Sequence, residues 1–253
     1  MYKRDDVIGL LKPFLVNNPK VLCVWEAGSA ATNTLDKYSD LDIMIVAKKR
    51  DIESLFQAID DFLDNHFEIR ESMRLKEPTW HGFAQKFYDL KRTESWFYID
   101  LCLLPPTTKE PFTSPDRHGR GLIWKDSINF VHHEVTPREE TLSRAKDYYQ
   151  NATEGMFVTR LEIDKALRRN QYLDAYHFMY SFVMRALVPL MNIEHRMVKV
   201  DFGIRYANRD YHKDDYALLL SFFSTSNLET LKTVSKEIFS RYETLKKKHA
   251  ALL

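Results

Sequence analysis

Residues 28–46 read GSAATNTLDKYSDLDIMIV and follow the apolar run VLCVW at residues 21–25. The stretch opens on Gly28 and Ser29, crosses a polar spacer, and sets Asp40 and Asp42 one residue apart before a β-prone segment. In a β-strand, residues i and i+2 point to the same side. Asp40 and Asp42 therefore share one face at the start of a strand over residues 41–46. Two carboxylates that close repel each other unless a cation lies between them. Hard divalent ions such as Mg²⁺ take oxygen ligands, typically one or two carboxylates plus substrate phosphates. Gly28 allows a tight turn with the backbone close to a ligand. Ser29 adds a hydroxyl to a turn whose backbone N–H groups can cradle an anion. Phosphate held there, beside metal held by the aspartates, suits phosphoryl or nucleotidyl transfer. Taken alone, DKYSD is also a good turn sequence, with both aspartates in capping roles.

A third carboxylate bears on that choice. Asp100 stands inside WFYIDLCLL, an otherwise apolar strand, where an ionised aspartate is rarely a plain core residue. If its strand neighbours residues 41–46, Asp100 can complete a metal site. It can also take the proton of an attacking hydroxyl. A salt-bridged structural role is the alternative.

The rest of the first half reads as mixed α/β. Residues 4–16 carry apolar residues at helical spacing (Val7, Leu10, Leu11, Phe14, Leu15), with Pro13 a mark against the last turn. Residues 52–67 predict a second helix through Leu55, Phe56, Ile59, Phe62 and Leu63. Residues 83–90 and 96–104 predict two strands joined by KRTES as a hairpin, ended by Pro105 and Pro106. From about residue 137 the pattern is helical almost to the end. Thr136, Pro137 and Glu139 predict a helix start, with Thr136 as N-cap and Pro137 in the first position. Leu173, Tyr176, Tyr180, Val183, Leu187 and Leu190 predict one apolar face, and Leu228, Leu231, Val234, Ile238, Tyr242 and Leu245 another. This is a helical bundle. The boundary is expected within residues 115–136, giving an α/β unit over 1–125 and a helical unit over 126–253.

The residues Gly28-Ser29, Asp40-Leu41-Asp42 and Asp100 resemble the nucleotidyltransferase superfamily, whose fold is shared with DNA polymerase beta. The hallmark is Gly-Ser, a spacer of this length, Asp-x-Asp in an apolar strand, and a third carboxylate on a separate strand. The motifs cover residues 20–105. The helical second half is similar in layout to small antibiotic-modifying enzymes such as the aminoglycoside adenylyltransferases. The resemblance implies two Mg²⁺ ions held by Asp40, Asp42 and Asp100, and a triphosphate end held by Gly28 and Ser29. It implies in-line attack of an acceptor hydroxyl on the α-phosphorus, with release of pyrophosphate. In some relatives the third carboxylate acts mainly as general base, so Asp100 has two open roles. The site is expected in the cleft between the two units. AMP from ATP is the expected group and donor, and a hydroxyl of a small, aminoglycoside-like antibiotic the expected acceptor. A protein side chain or a tRNA end is the rival acceptor, and a silent nucleotide-binding module the rival class.

Other features weigh less. Lys37 in the spacer is a candidate phosphate contact against a solvated loop. Related enzymes often bring a basic residue from the helical domain to the triphosphate, which makes Lys199 the first candidate there. Arg168 and Arg169 fit a helix end, where cations offset the dipole. His132-His133-Glu134 lacks cysteine partners, and adjacent histidines in a strand diverge, so zinc is not expected. Trp80-His81-Gly82 is a candidate border of the cleft. Cys23 and Cys102 sit in apolar runs and read as buried thiols of a reducing compartment. Lys+Arg number 37 and Asp+Glu 36, so bulk electrostatics do not favour wrapping of long nucleic acid. No run approaches the ~18 apolar residues of a membrane span, and a cytoplasmic enzyme is the expectation.

Overall fold

The apolar runs of the first half assemble into a mixed six-stranded sheet. Its strands are β1 (Cys23–Glu26), β2 (Leu41–Val46), β3 (Ile69–Arg74), β4 (Ala84–Leu90), β5 (Tyr98–Leu104) and β6 (Leu122–Asp126). Their spatial order is β3-β4-β5-β2-β1-β6. Only β2 and β5 run parallel; the other neighbours are antiparallel. The computed structural model describes residues 1–252.

Strand alternation sorts this sheet into two faces. Leu41, Ile43 and Ile45 point to one face, where helix α1 (Arg4–Asn17) contributes Val7, Leu11 and Leu15 to a shared core. A four-residue turn of helix, α2 (Gly28–Ala31), follows β1, and α3 (Ile52–Phe67) adds Leu55, Ile59, Leu63 and Phe67 to that same core. Met44, Val46 and Cys102 point to the opposite face and pack with Cys23, Trp25, Phe83 and Val131. Asp42 and Asp100 obey the same alternation and belong to this second face.

Several expectations change. Helix α1 continues through Pro13 to Asn17. Strands β3 and β6 have no counterpart in the sequence reading. Strand β3 is an edge strand with almost no buried residue, so its sequence IRESMR lacks an apolar alternation. Strand β6 is short, and its Leu122 and Ile123 are exposed.

The first unit runs to Val135 rather than to residue 125. Asp126, the last residue of β6, accepts from the N–H groups of Ile128 (3.3 Å), Phe130 (2.9 Å) and Val131 (3.0 Å). That ties residues 127–131 to the sheet, and Val131 is buried in the second-face core. A short helix, α4 (Pro115–His118), lies in the segment before β6.

The second unit begins at Thr136 and is helical. It comprises α5 (Arg138–Thr153), α6 (Met156–Arg168), α7 (Tyr172–Phe178), α8 (Met184–Arg196), α9 (Ala207–Asp210), α10 (Lys213–Phe223) and α11 (Leu228–His249). Helix α5 starts one residue later than expected: Pro137 is its N-cap, and the Pro137 carbonyl accepts from Thr141 N–H at 3.0 Å. A π-helical turn, Met179–Val183, joins α7 to α8. Ala175, Met179, Val183, Leu187 and Met191 are all fully buried, at a constant spacing of four. An α-helix drifts off such a stripe, whereas a wider i→i+5 turn holds it in line. The expected face is corrected accordingly: Leu173 and Tyr180 are exposed, and the stripe passes through Ala175 and Met179 instead. In α11 the expected face holds from Leu231 to Leu245.

Candidate active site

The end of β1 and the start of β2 are neighbours in the sheet, which brings the two ends of the opening motif together. Ala27 N–H donates to the Asp42 carbonyl at 2.9 Å. Gly28 has φ +55, a conformation that favours glycine. A Cβ there would lie 1.7 Å from Asp42 Oδ2, so only glycine fits against this carboxylate. In α2 the first intrahelical bonds run from Ala31 N–H to Ala27 O (3.2 Å) and from Thr32 N–H to Gly28 O (3.1 Å). The amides of Ser29 and Ala30 precede them, at the helix end where N–H groups lack intrahelical partners. Ser29 Oγ is buried and has no hydrogen-bond partner. A buried hydroxyl left unpaired costs about 1–3 kcal/mol.

Parallel pairing of β2 with β5 sets Asp42 directly opposite Asp100. Asp40 lies just before β2, and all three carboxylates are half-buried. Tyr98, two residues before Asp100 and on the same face, senses all of them. Burial, a hydrogen bond to Asp40, and the charges of Asp40, Asp42 and Asp100 push its phenol well above the usual range. Burial likewise raises the Asp100 carboxyl; a hydrogen bond from Gln85 opposes the rise and the Asp40 charge adds to it. Cys102 is a buried free thiol whose pKa rises through burial and the charges of Asp100 and Asp42. The expected triad is thus one electrostatic cluster on one sheet face. Among the described residues, no three His, Cys, Asp or Glu side chains form a ready-made metal cage.

Four participants have no counterpart in the sequence reading. Gln85 Nε2 donates to Asp100 Oδ1 at 2.7 Å. Tyr98 bonds Asp40. Arg4 donates through Nε to the Asp40 carbonyl at 3.1 Å and pairs with the buried Glu26. One guanidinium on α1 therefore links the end of β1 to the start of β2. Only the alternation rule carried a signal for any of these: Tyr98 shares a face with Asp100 at i−2.

The remaining candidates lie elsewhere. Lys37 is exposed in the spacer loop, with Nζ 4.7 Å from the Tyr38 ring centroid, and its carbonyl accepts from Trp96 Nε1. Lys199 belongs to the second unit, with Nζ 5.8 Å from the Phe202 ring centroid. Arg168 pairs with Asp164 at the end of α6. His133 Nδ1 is 3.3 Å from the Thr113 carbonyl. No helix among the described residues is long and apolar enough to cross a membrane.

The streptomycin adenylyltransferase family matches the chain over residues 1–252. No curated protein matches it. Among solved structures, the chain is similar to an aminoglycoside 6-adenyltransferase from Bacillus subtilis. That likeness has 14% identity and a TM-score of 0.38, and covers 100% of this chain and 92% of the other. It is also similar to a nucleotidyltransferase-like protein from Exiguobacterium sibiricum, at 12% identity and a TM-score of 0.40, covering 97% and 75%.

Proposed function

Because the chain belongs to the streptomycin adenylyltransferase family, we propose that it moves AMP from ATP to a hydroxyl of an aminoglycoside-type antibiotic. The observation that carries the siting of this reaction is the pairing of Asp42 with Asp100 beside Gly28 and the unpartnered Ser29 hydroxyl.

The residues fit a divalent cation. Their donors are hard carboxylate oxygens, and the raised Asp100 carboxyl is what burial, with the Asp40 charge added, produces before a cation compensates it. Mg²⁺ is commonly held by one or two carboxylates plus substrate phosphates, so a ready-made protein cage is not needed. Asp40, Asp42 and Asp100 would hold the ions, two by the family's pattern. Bound there, Mg²⁺ would neutralise charge developing on the transferred phosphoryl group and its leaving pyrophosphate.

The chain's own groups have separate tasks. Ser29 Oγ donates to a phosphate oxygen and gains the partner it lacks. The first-turn amides of α2 face the same anion. Lys37 offers a further cation from the spacer. Asp100 accepts the proton of the attacking acceptor hydroxyl.

The test is incubation with ATP, Mg²⁺ and a panel of aminoglycosides, followed by mass spectrometry of the antibiotics. An added adenylyl group on at least one is the expected result. Tight Mg²⁺-dependent binding of ATP without modification of any antibiotic would contradict the acceptor class.

A further inference from the structure

The Asp100 carboxylate is the end of a chain of hydrogen bonds that starts in the turn at residues 79–83. Phe83 N–H donates to His81 Nδ1 at 3.0 Å. A backbone N–H can only donate, so Nδ1 carries the lone pair and the ring proton sits on Nε2. His81 Nε2 lies 2.9 Å from Gln85 Oε1 and donates to it. That fixes the amide orientation, because Gln85 Nε2 must then face Asp100 Oδ1, at 2.7 Å. Thr79 Oγ1 donates to the Phe83 carbonyl at 2.6 Å and holds the turn closed. The His81 ring is braced by Phe83, with centroids 4.6 Å apart, and by Trp80 at 4.9 Å.

Every donor in this series points toward Asp100. Oδ1 also receives the Cys102 thiol, at 4.0 Å. Oδ1 is therefore committed within the protein, and Oδ2 is the oxygen left for an acceptor proton or a cation. We propose that His81 and Gln85 are positioning residues that fix which oxygen of Asp100 faces the reaction. This rests on Asp100 serving nucleotidyl transfer as set out above. Neither residue touches substrate in this scheme; both act through Asp100.

The role predicts effects on turnover rather than on binding. Partners behind a reacting or ligating group typically change activity ~10–100-fold when removed. Gln85→Leu should lower kcat about 30-fold while KM for ATP stays within about twofold. Two His81 variants separate hydrogen bonding from packing. His81→Phe keeps the ring among Phe83 and Trp80 and removes the donor. His81→Gln removes the ring and keeps an amide N–H. Positioning predicts that His81→Gln retains more activity than His81→Phe, and that His81→Phe adds nothing to Gln85→Leu. A purely structural role predicts the reverse order, and that order would overturn the proposal, as would a Gln85→Leu enzyme within twofold of wild type.

A second readout needs no turnover. In ¹⁵N-histidine-labelled protein, His81 should show the Nε2–H tautomer in wild type and in Gln85→Leu alike, because Phe83 N–H holds Nδ1, and the Nε2 proton should exchange with solvent faster in the variant, which lacks its acceptor. An Nδ1–H tautomer in wild type, or an Nε2 proton that exchanges no faster in the variant, overturns the relay. If wild type modifies no acceptor, the functional reading fails, and the tautomer measurement still decides the relay.

Discussion

Ser29 places a hydroxyl in a buried position with nothing to bond to, and Gly28 brings the backbone against a carboxylate that any side chain would strike. Both features are costly in an empty fold and useful with an anion bound. Ser29→Ala should therefore leave the melting temperature unchanged or higher. It should weaken ATP binding about thirtyfold, the ~2 kcal/mol of a hydrogen bond to a charged group. Asp100 predicts a related trade. Its folded pKa is raised by burial, so above the ordinary carboxylate range the ionised group fits the folded state less well than the unfolded chain. Asp100→Asn, measured with a chelator present, should raise Tm by about 2–4 °C, the effect of ~1 kcal/mol in a protein of this size, while abolishing transfer. The three aspartates and Gly28-Ser29 were legible because they are acidic or small residues set beside or within strand patterns of period two. Gln85 and Arg4 were not legible. Their role depends on which strand or helix lies beside the motif, and FAQKFYDL and YKRDDVIG carry no mark of that neighbour.

At the scale of elements, the hairpin of β4 and β5, strand β2 and helix α3 follow directly from apolar spacing, because each buries one face against a core. Strand β3 escaped notice for the opposite reason, being an edge strand with exposed side chains. The π turn between α7 and α8 was also invisible, since four-residue spacing reads as helical over a turn or two and its drift shows only along the whole stripe. Strand β6 is held by pairing with β1, and Asp126 at its end holds the turn that follows. Burial raises the Asp126 carboxyl, but the N–H groups of Val131, Phe130 and Ile128 outweigh it and hold the carboxyl below the usual range. A depressed folded pKa adds stability above the unfolded value of ~3.9, and that stability is lost as pH falls through the folded value. Asp126→Asn should cost ~1–3 kcal/mol at neutral pH and much less at an acid pH below the folded value, where the wild-type carboxylate is itself protonated. Chemical denaturation at the two pH values measures the difference. An equal loss at both would contradict the assignment.

Over the whole molecule, 37 basic and 36 acidic residues give a net charge of +1. A surface so balanced provides no general attraction for a polyanion. tRNA added at ~0.15 M salt should leave transfer to a small acceptor unchanged, and inhibition that fades steeply as salt rises would point to a nucleic-acid site. Each unit carries its own core, and their order along the chain was readable from the change in periodicity. The exact boundary was not readable, because residues 127–131 are bound by one carboxylate rather than by a pattern. Nucleotidyl transfer is assigned, in the function proposed above, to the carboxylates of the first unit. The most direct test of that assignment is acceptor-dependent pyrophosphate release from ATP and Mg²⁺ by wild type and Asp42→Asn, checked for equal folding by Tm. Release by wild type with a loss of at least about a thousandfold in the variant is the predicted result, on the scale of ~4 kcal/mol or more of transition-state stabilisation. A folded Asp42→Asn enzyme that still releases pyrophosphate at the wild-type rate would contradict it.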